Sequence, residues 1–228
     1  MSLKPRTYNL EPKIILALDV DDLKKAKYFV NKLYPKIKIF KIGSQLFTGY
    51  GPKIIKFIHK QGAEVFLDLK FYDIPNTVAN AVRQAVRLKV KMLTLHIWGG
   101  VEMLKAAVKS AKDEARRLKL KKPLLIGVTV LTSKDTAPAE ILRMAKIGLA
   151  CGLDGVVCSA KEVGFLKKNI KNKFIAVTPG IRPAKAAADD QKRTAIAAEA
   201  IKAGSDFLVV GRPILAAKDP LKALDELI

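Results

Sequence analysis

Cysteine and histidine are almost missing from this 228-residue sequence, which holds Cys151, Cys158, His59 and His96 and no others. So sparse a set excludes a disulfide framework and a Cys/His zinc site, and two buried structural cysteines are expected instead. No uninterrupted apolar run approaches the roughly 18 residues that a membrane-spanning helix needs. The opening stretch "MSLKPRTYNLEP" has no apolar core of the secretory-signal kind, so residues 1–12 read as a short lead-in. A soluble, cytoplasmic protein with no membrane partner is expected. No G-x-G-x-x-G follows the first apolar run, which disfavours an open dinucleotide-binding sheet.

Acidic residues are also in short supply: 21 Asp and Glu stand against 42 Lys and Arg, a formal net charge of +21. Such an excess suits a nucleic-acid binder, an enzyme with anionic substrates, or a lysine-decorated surface. The lysines are scattered through helical segments such as "DDLKKAKYFVNKLYPKIK" and are not gathered in one arm, and no aromatic-interleaved platform accompanies them. A nucleic-acid partner is therefore not expected. The positive field would still draw in a phosphorylated small molecule.

Hydrophobic residues make up 50% of the chain, enough for a substantial core. They fall into short β-branched runs at 13–19, 37–43, 63–70, 91–97, 123–130, 154–160, 174–180 and 206–212. Nearly continuous apolar runs suit strands buried on both faces, as in parallel sheets. Helix-period stretches lie between them, for instance 75–89 and 101–119. Eight such repeats without a break in composition predict an α/β fold, a single-domain (β/α)8 TIM barrel over 1–228.

In that fold the active site lies at the C-terminal ends of the strands. Asp19, Lys41, Asp68 with Lys70, His96, Thr132, Gly180 with Arg182, and Gly211 with Arg212 would all gather there. Alternation along the third strand puts Asp68 and Lys70 on one face and Leu67 and Leu69 on the other. With Asp19 and Lys41 on neighbouring strands, an alternating Asp–Lys–Asp–Lys array becomes possible, which would keep each lysine charged and fixed in place. A structural ion-pair network is the alternative. Asp73 lies beyond the strand, before Pro75, where it also fits as an acid complementing a helix N-terminus, with Thr77 an ordinary first-turn residue. "TPGIRP" (178–183) and "VGRPI" (210–214) each set Gly and Arg just after a strand, where barrels commonly grip phosphate. The polar segment "AKAAADDQKR" between them is long enough to fold over a ligand.

"LDLKFYDIPNTV" resembles the D-x-K-x-x-D-I-P-N-T signature of the orotidine 5'-monophosphate decarboxylases. The resemblance extends over nearly the whole chain through "LALDV", "KIG", "VTVLTS", "TPGIRP" with "DDQKR", and "VGRPI". It implies decarboxylation of orotidine 5'-monophosphate to UMP in pyrimidine biosynthesis, without metal or cofactor. It further implies that Lys70 donates a proton to C6 with Asp68 beside it, that Asp73 and Thr77 enter the site across a homodimer interface, and that Ile74 contacts substrate. Asp19 and Lys41 match the ribose contacts, and Thr132 the residue that reads the pyrimidine. Arg182, Gln191, Arg212 and the backbone of Gly211 match the phosphate contacts. Sequences of this kind often carry a glycine within the lid and Thr-Pro after "DDQKR", where this chain has "PAKAAADD" and "RTAIAAEA".

Two rivals stand beside this expectation. Metal-dependent sugar-phosphate decarboxylases and aldolases of the same superfamily are similar in the D-x-K-x-x-D core, but typically continue with Ala-Gly and use Mg²⁺; "DIPNT" and "DDQKR" argue against them. A non-catalytic basic nucleotide-binding module would have no need of Lys70.

Overall fold

Period-two burial along the apolar runs decides the architecture. Within Lys13–Ala17, Ile15 and Ala17 point into one hydrophobic cluster and Leu16 into another. Strands with two apolar faces must be covered on both sides, and a barrel wrapped in helices does so. The computed structural model describes residues 13–130, 136–183 and 195–227. Their strands are β1 (Lys13–Ala17), β2 (Ile39–Gly43), β3 (Glu64–Phe71), β4 (Met92–His96) and β5 (Leu124–Val128). These are followed by β6 (Gly155–Val157), β7 (Ile175–Thr178), β8 (Ile181–Arg182), β9 (Ala195–Ile196) and β10 (Phe207–Val210). Eight of them close in the order β1-β10-β7-β6-β5-β4-β3-β2 with every neighbour parallel. The expected barrel is present. Except for β3, its strands are shorter than the apolar runs that announced them; the run at 154–160, for example, contributes only Gly155–Val157 to the sheet. The small parallel pair of β8 and β9 was not anticipated.

The helices are α1 (Leu23–Leu33), α2 (Ser44–Tyr50), α3 (Pro52–Lys60), α4 (Pro75–Arg87) and α5 (Gly100–Arg117). Then come α6 (Pro138–Ala150), α7 (Ala160–Asn169), α8 (Ala197–Lys202), α9 (Arg212–Leu215) and α10 (Pro220–Asp225). Pro52, Pro75 and Pro138 each occupy a first-turn position, where the missing amide proton costs nothing. The Asp22 side chain caps α1 by accepting from the Lys25 amide at 2.7 Å. Between α4 and α5, Glu114 is only 5% exposed, and hydrogen bonds from Arg117 and Arg87 hold its carboxyl at about 2. None of the described helices is long and apolar enough to cross a membrane.

Two cores result. The outer one lies between the sheet and its helices. The inner one plugs the barrel with Ile15, Ile39, Phe66, Met92, Ile126, Val177, Phe207 and Val209. Cys158, buried in the outer core, matches the structural role expected of it, and burial pushes its thiol pKa up. Cys151 is half-buried at the end of α6.

At the N-terminal end of the barrel the sequences "GLD" (152–154) and "GSD" (204–206) repeat one device. Each glycine takes a left-handed turn after a helix, at φ +94° and +98°, and each aspartate then reaches to the adjacent barrel strand. Asp154 Oδ2 accepts from the Leu125 amide at 2.8 Å and from Lys122 Nζ at 2.6 Å. Asp206 Oδ2 accepts from the Ala176 amide at 2.7 Å and from Lys167 Nζ at 3.0 Å. Losing such an acceptor strands a strand amide and leaves the lysine with only a backbone carbonyl, that of Pro123 for Lys122 and of Phe174 for Lys167. Asp154→Ala is expected to cost about 2 kcal/mol, lowering Tm by roughly 4–8 °C in a thermal melt. Turnover per folded molecule should stay unchanged, because the change lies at the end of the barrel away from the mouth.

Candidate active site

Charged side chains meet at the other end. β2 delivers Lys41, β3 delivers Asp68 and Lys70, and Asp19 follows just beyond β1. Lys41 Nζ lies 3.1 Å from Asp19 Oδ1 and 3.5 Å from Asp68 Oδ2, and Lys70 Nζ lies 2.9 Å from Asp68 Oδ2. The Asp19–Lys41–Asp68–Lys70 array expected from strand positions is therefore continuous. Lys41 and Asp68 are its most enclosed members, with side chains 12% and 13% exposed, and Asp68 is the carboxylate shared by both lysines. Burial alone would raise its pKa. The charges of Lys41 and Lys70, with hydrogen bonds from Lys70 and Thr94, outweigh that and hold the carboxyl below its usual value.

Simple alternation does not describe Lys70. Leu67 pairs with Leu93, but the next registered pair is Phe71 with Leu95, so four steps along β3 match two along β4. The surplus is absorbed in a bulge where Lys70 adopts φ +49°, a left-handed conformation that costs a non-glycine residue energy. The Lys70 amide donates to Thr94 Oγ1 at 2.8 Å, and that hydroxyl donates to Asp68 Oδ1 at 2.9 Å. The bulge re-aims the lysine, and its ammonium hydrogen-bonds both oxygens of Asp68, at 3.0 and 2.9 Å.

These groups open onto a cavity of about 230 Å³. Phe66, Val128, Val157 and Val177 supply apolar lining. Pro179 and Gly180 just after β7, Arg182 on β8, and Gly211 and Arg212 just after β10 also line it. In the closed strand order β7 stands directly across the barrel from β3. An anion held by the arginines would thus sit across the mouth from Lys70. Gly43 leaves room beside the first pair: a Cβ there would lie 3.4 Å from both Asp19 Oδ1 and Lys41 Nζ.

The structure therefore brings Asp19, Lys41, Asp68, Lys70, Arg182, Gly211 and Arg212 to one cavity. It does not bring Asp73, Ile74 or Thr77 there from the same chain. Those three are exposed around the start of α4, and Asp73 Oδ1 accepts from the neighbouring Ile74 amide at 2.6 Å. Thr132 and Gln191 lie outside the described residues, as does the segment 184–194. Sequence reasoning missed Thr94 and the valine lining. Among the described residues no group of three or more His, Cys, Asp or Glu side chains is arranged to hold a metal ion.

Fold and rim place this protein among the (β/α)8 barrels that do their chemistry with charged side chains at the barrel mouth. The chain belongs to the orotidine 5'-phosphate decarboxylase / HUMPS family, whose sequence model matches residues 12–227. It is 44% identical over 228 residues to an orotidine 5'-phosphate decarboxylase of Vibrio cholerae serotype O1, covering 95% of this chain and 97% of that one. A Coxiella burnetii orotidine 5'-phosphate decarboxylase is 45% identical over 226 residues, covering 94% of each. The crystal structure of orotidine 5'-phosphate decarboxylase from Lactobacillus acidophilus superposes with a TM-score of 0.82 at 35% identity, over 95% of this chain and 97% of that one.

Proposed function

We propose that the protein decarboxylates orotidine 5'-monophosphate to UMP and CO₂ in de novo pyrimidine biosynthesis, with Lys70 as the proton donor. The observation that carries this is a lysine fixed against a buried carboxylate, across the barrel from two Gly/Arg strand ends. When the C6–CO₂ bond breaks, its electron pair stays in an sp² orbital that the pyrimidine π-system cannot delocalise. A preorganised ammonium stabilises that charge directly. It then gives its proton to C6, completing UMP, and Lys70 is reprotonated from solvent. Asp68 holds the ammonium in place and keeps it charged. Asp19 and Lys41 bind the ribose hydroxyls, Thr132 reads the pyrimidine, and Arg182, Gln191, Arg212 and the Gly211 backbone bind the phosphate.

The working unit is a homodimer in which Asp73, Ile74 and Thr77 serve the partner's cavity. Two features support it. Asp73 is exposed and outside its own chain's cavity lining. Around it stand large apolar side chains that water solvates poorly: Tyr72 is 63% exposed, Ile74 65% and Trp98 53%.

The test is loss of orotidylate absorbance on adding purified protein with EDTA present. Turnover should proceed at the same rate with and without the chelator. No loss of orotidylate absorbance under either condition, beside Mg²⁺-dependent turnover of a keto-sugar phosphate, would transfer the protein to the metal-dependent sugar-phosphate branch.

A further inference from the structure

Thr94 sits in the middle of β4, within the apolar run "KMLTLHI", and is 0% exposed. A buried hydroxyl must find partners, and this one finds two that belong to different parts of the same device. It accepts the Lys70 amide proton at 2.8 Å and donates to Asp68 Oδ1 at 2.9 Å. The directions are fixed by chemistry. An amide N–H only donates and an ionised carboxylate only accepts, so the single hydroxyl proton is committed to Asp68.

The Lys70 amide points at β4, within the bulge where the chain is left-handed. In a regular parallel ladder that amide would donate to a carbonyl of the neighbouring strand. The bulge removes that option, and the Thr94 hydroxyl replaces it. The same contact sets which way the Asp68 carboxylate faces, and Asp68 in turn holds Lys70 Nζ through both its oxygens. One hydroxyl therefore fixes the lysine at two points, its backbone and the counter-ion of its ammonium.

We infer that Thr94 is a positioning residue for the reaction, holding the bulge at Lys70 and orienting Asp68 so that the ammonium is aimed before substrate arrives. The inference rests on the assignment of Lys70 as proton donor. Thr94 itself is not among the residues lining the cavity and acts only through Lys70 and Asp68.

The experiment compares wild type with Thr94→Val, Thr94→Ala and Thr94→Ser, measuring kcat, KM, UMP affinity, the pH profile of kcat/KM and Tm. Valine keeps the shape of threonine and removes both hydrogen bonds; serine keeps both. For a hydrogen bond to a charged group, Thr94→Val is expected to lower kcat by roughly ten- to a hundredfold, with UMP affinity changed less than about threefold. The ionised Asp68 loses a donor, while Lys41 and Lys70 still face it and Asp19 faces Lys41, so the acid limb of the profile should move to higher pH. Thr94→Ser should recover most of kcat. A purely structural role predicts a lower Tm with kcat and the acid limb unmoved in the folded fraction, and that result overturns the inference. So does failure of both Thr94→Val and Thr94→Ala to fold, which would assign the residue to the fold alone. Wild type inactive on orotidylate would instead sink the functional assignment, a distinguishable result.

Discussion

Lys70→Ala is expected to abolish decarboxylation, lowering kcat by at least about 10⁴-fold, while UMP still binds measurably. The size of the effect follows from two losses at once. The variant has no ammonium to neutralise the electron pair left at C6, and no acid to protonate it. The proposed phosphate grip should be untouched, because Arg182, Gly211 and Arg212 come from the far side of the mouth. The backbone is a fair control too. Alanine carries the same left-handed penalty as lysine at φ +49°, so the bulge is no worse off. Stopped assays following orotidylate absorbance, beside calorimetric titration with UMP, separate the two quantities. Turnover near the wild-type rate would remove Lys70 from the chemistry.

The second large effect concerns the partner. Asp73→Asn is expected to be nearly inactive by itself, as Lys70→Ala is, but for a defect located in the other subunit's cavity. Equal amounts of the two variants, unfolded and refolded together, should yield half heterodimers, each with one cavity carrying both defects and one carrying neither. Activity should therefore return to about one quarter of wild type. Continued inactivity of the mixture, with heterodimers verified by differential tagging, would place Asp73 and Lys70 in the same chain's site. The exposed ring of Tyr72 stacks near His96 at 5.5 Å between ring centroids, so the surface around Asp73 is already partly organised within one chain.

Much of the barrel was legible because its strands are buried twice. An apolar run such as "IKIFKIG" has no polar face to show, and few folds accept eight such runs in series. The strand ends carried the site for a related reason. Asp19, Lys41 and Asp68 are charges attached to otherwise apolar segments, and only the open rim tolerates them. What escaped was local and tertiary. Threonine in "KMLTLHI" is ordinary strand material by propensity, and nothing along β4 announces that its hydroxyl faces a bulge on β3. The bulge itself breaks the alternation from which the position of Lys70 was deduced, yet the ammonium meets Asp68 because a long flexible side chain absorbs the change. Asp73 points to a different limit. Its surroundings within one chain read as a helix lead-in, and the catalytic role proposed for it would need a second copy.

The packed interior described above makes the barrel a cul-de-sac. With Ile39, Phe66, Met92 and Phe207 filling the passage toward the opposite end, nothing the size of a nucleotide can leave through the floor. Nucleotide entry and UMP departure must share one doorway. Product must leave by the way substrate came, so each new substrate waits on that departure and the traffic of products is built into the tempo of the enzyme.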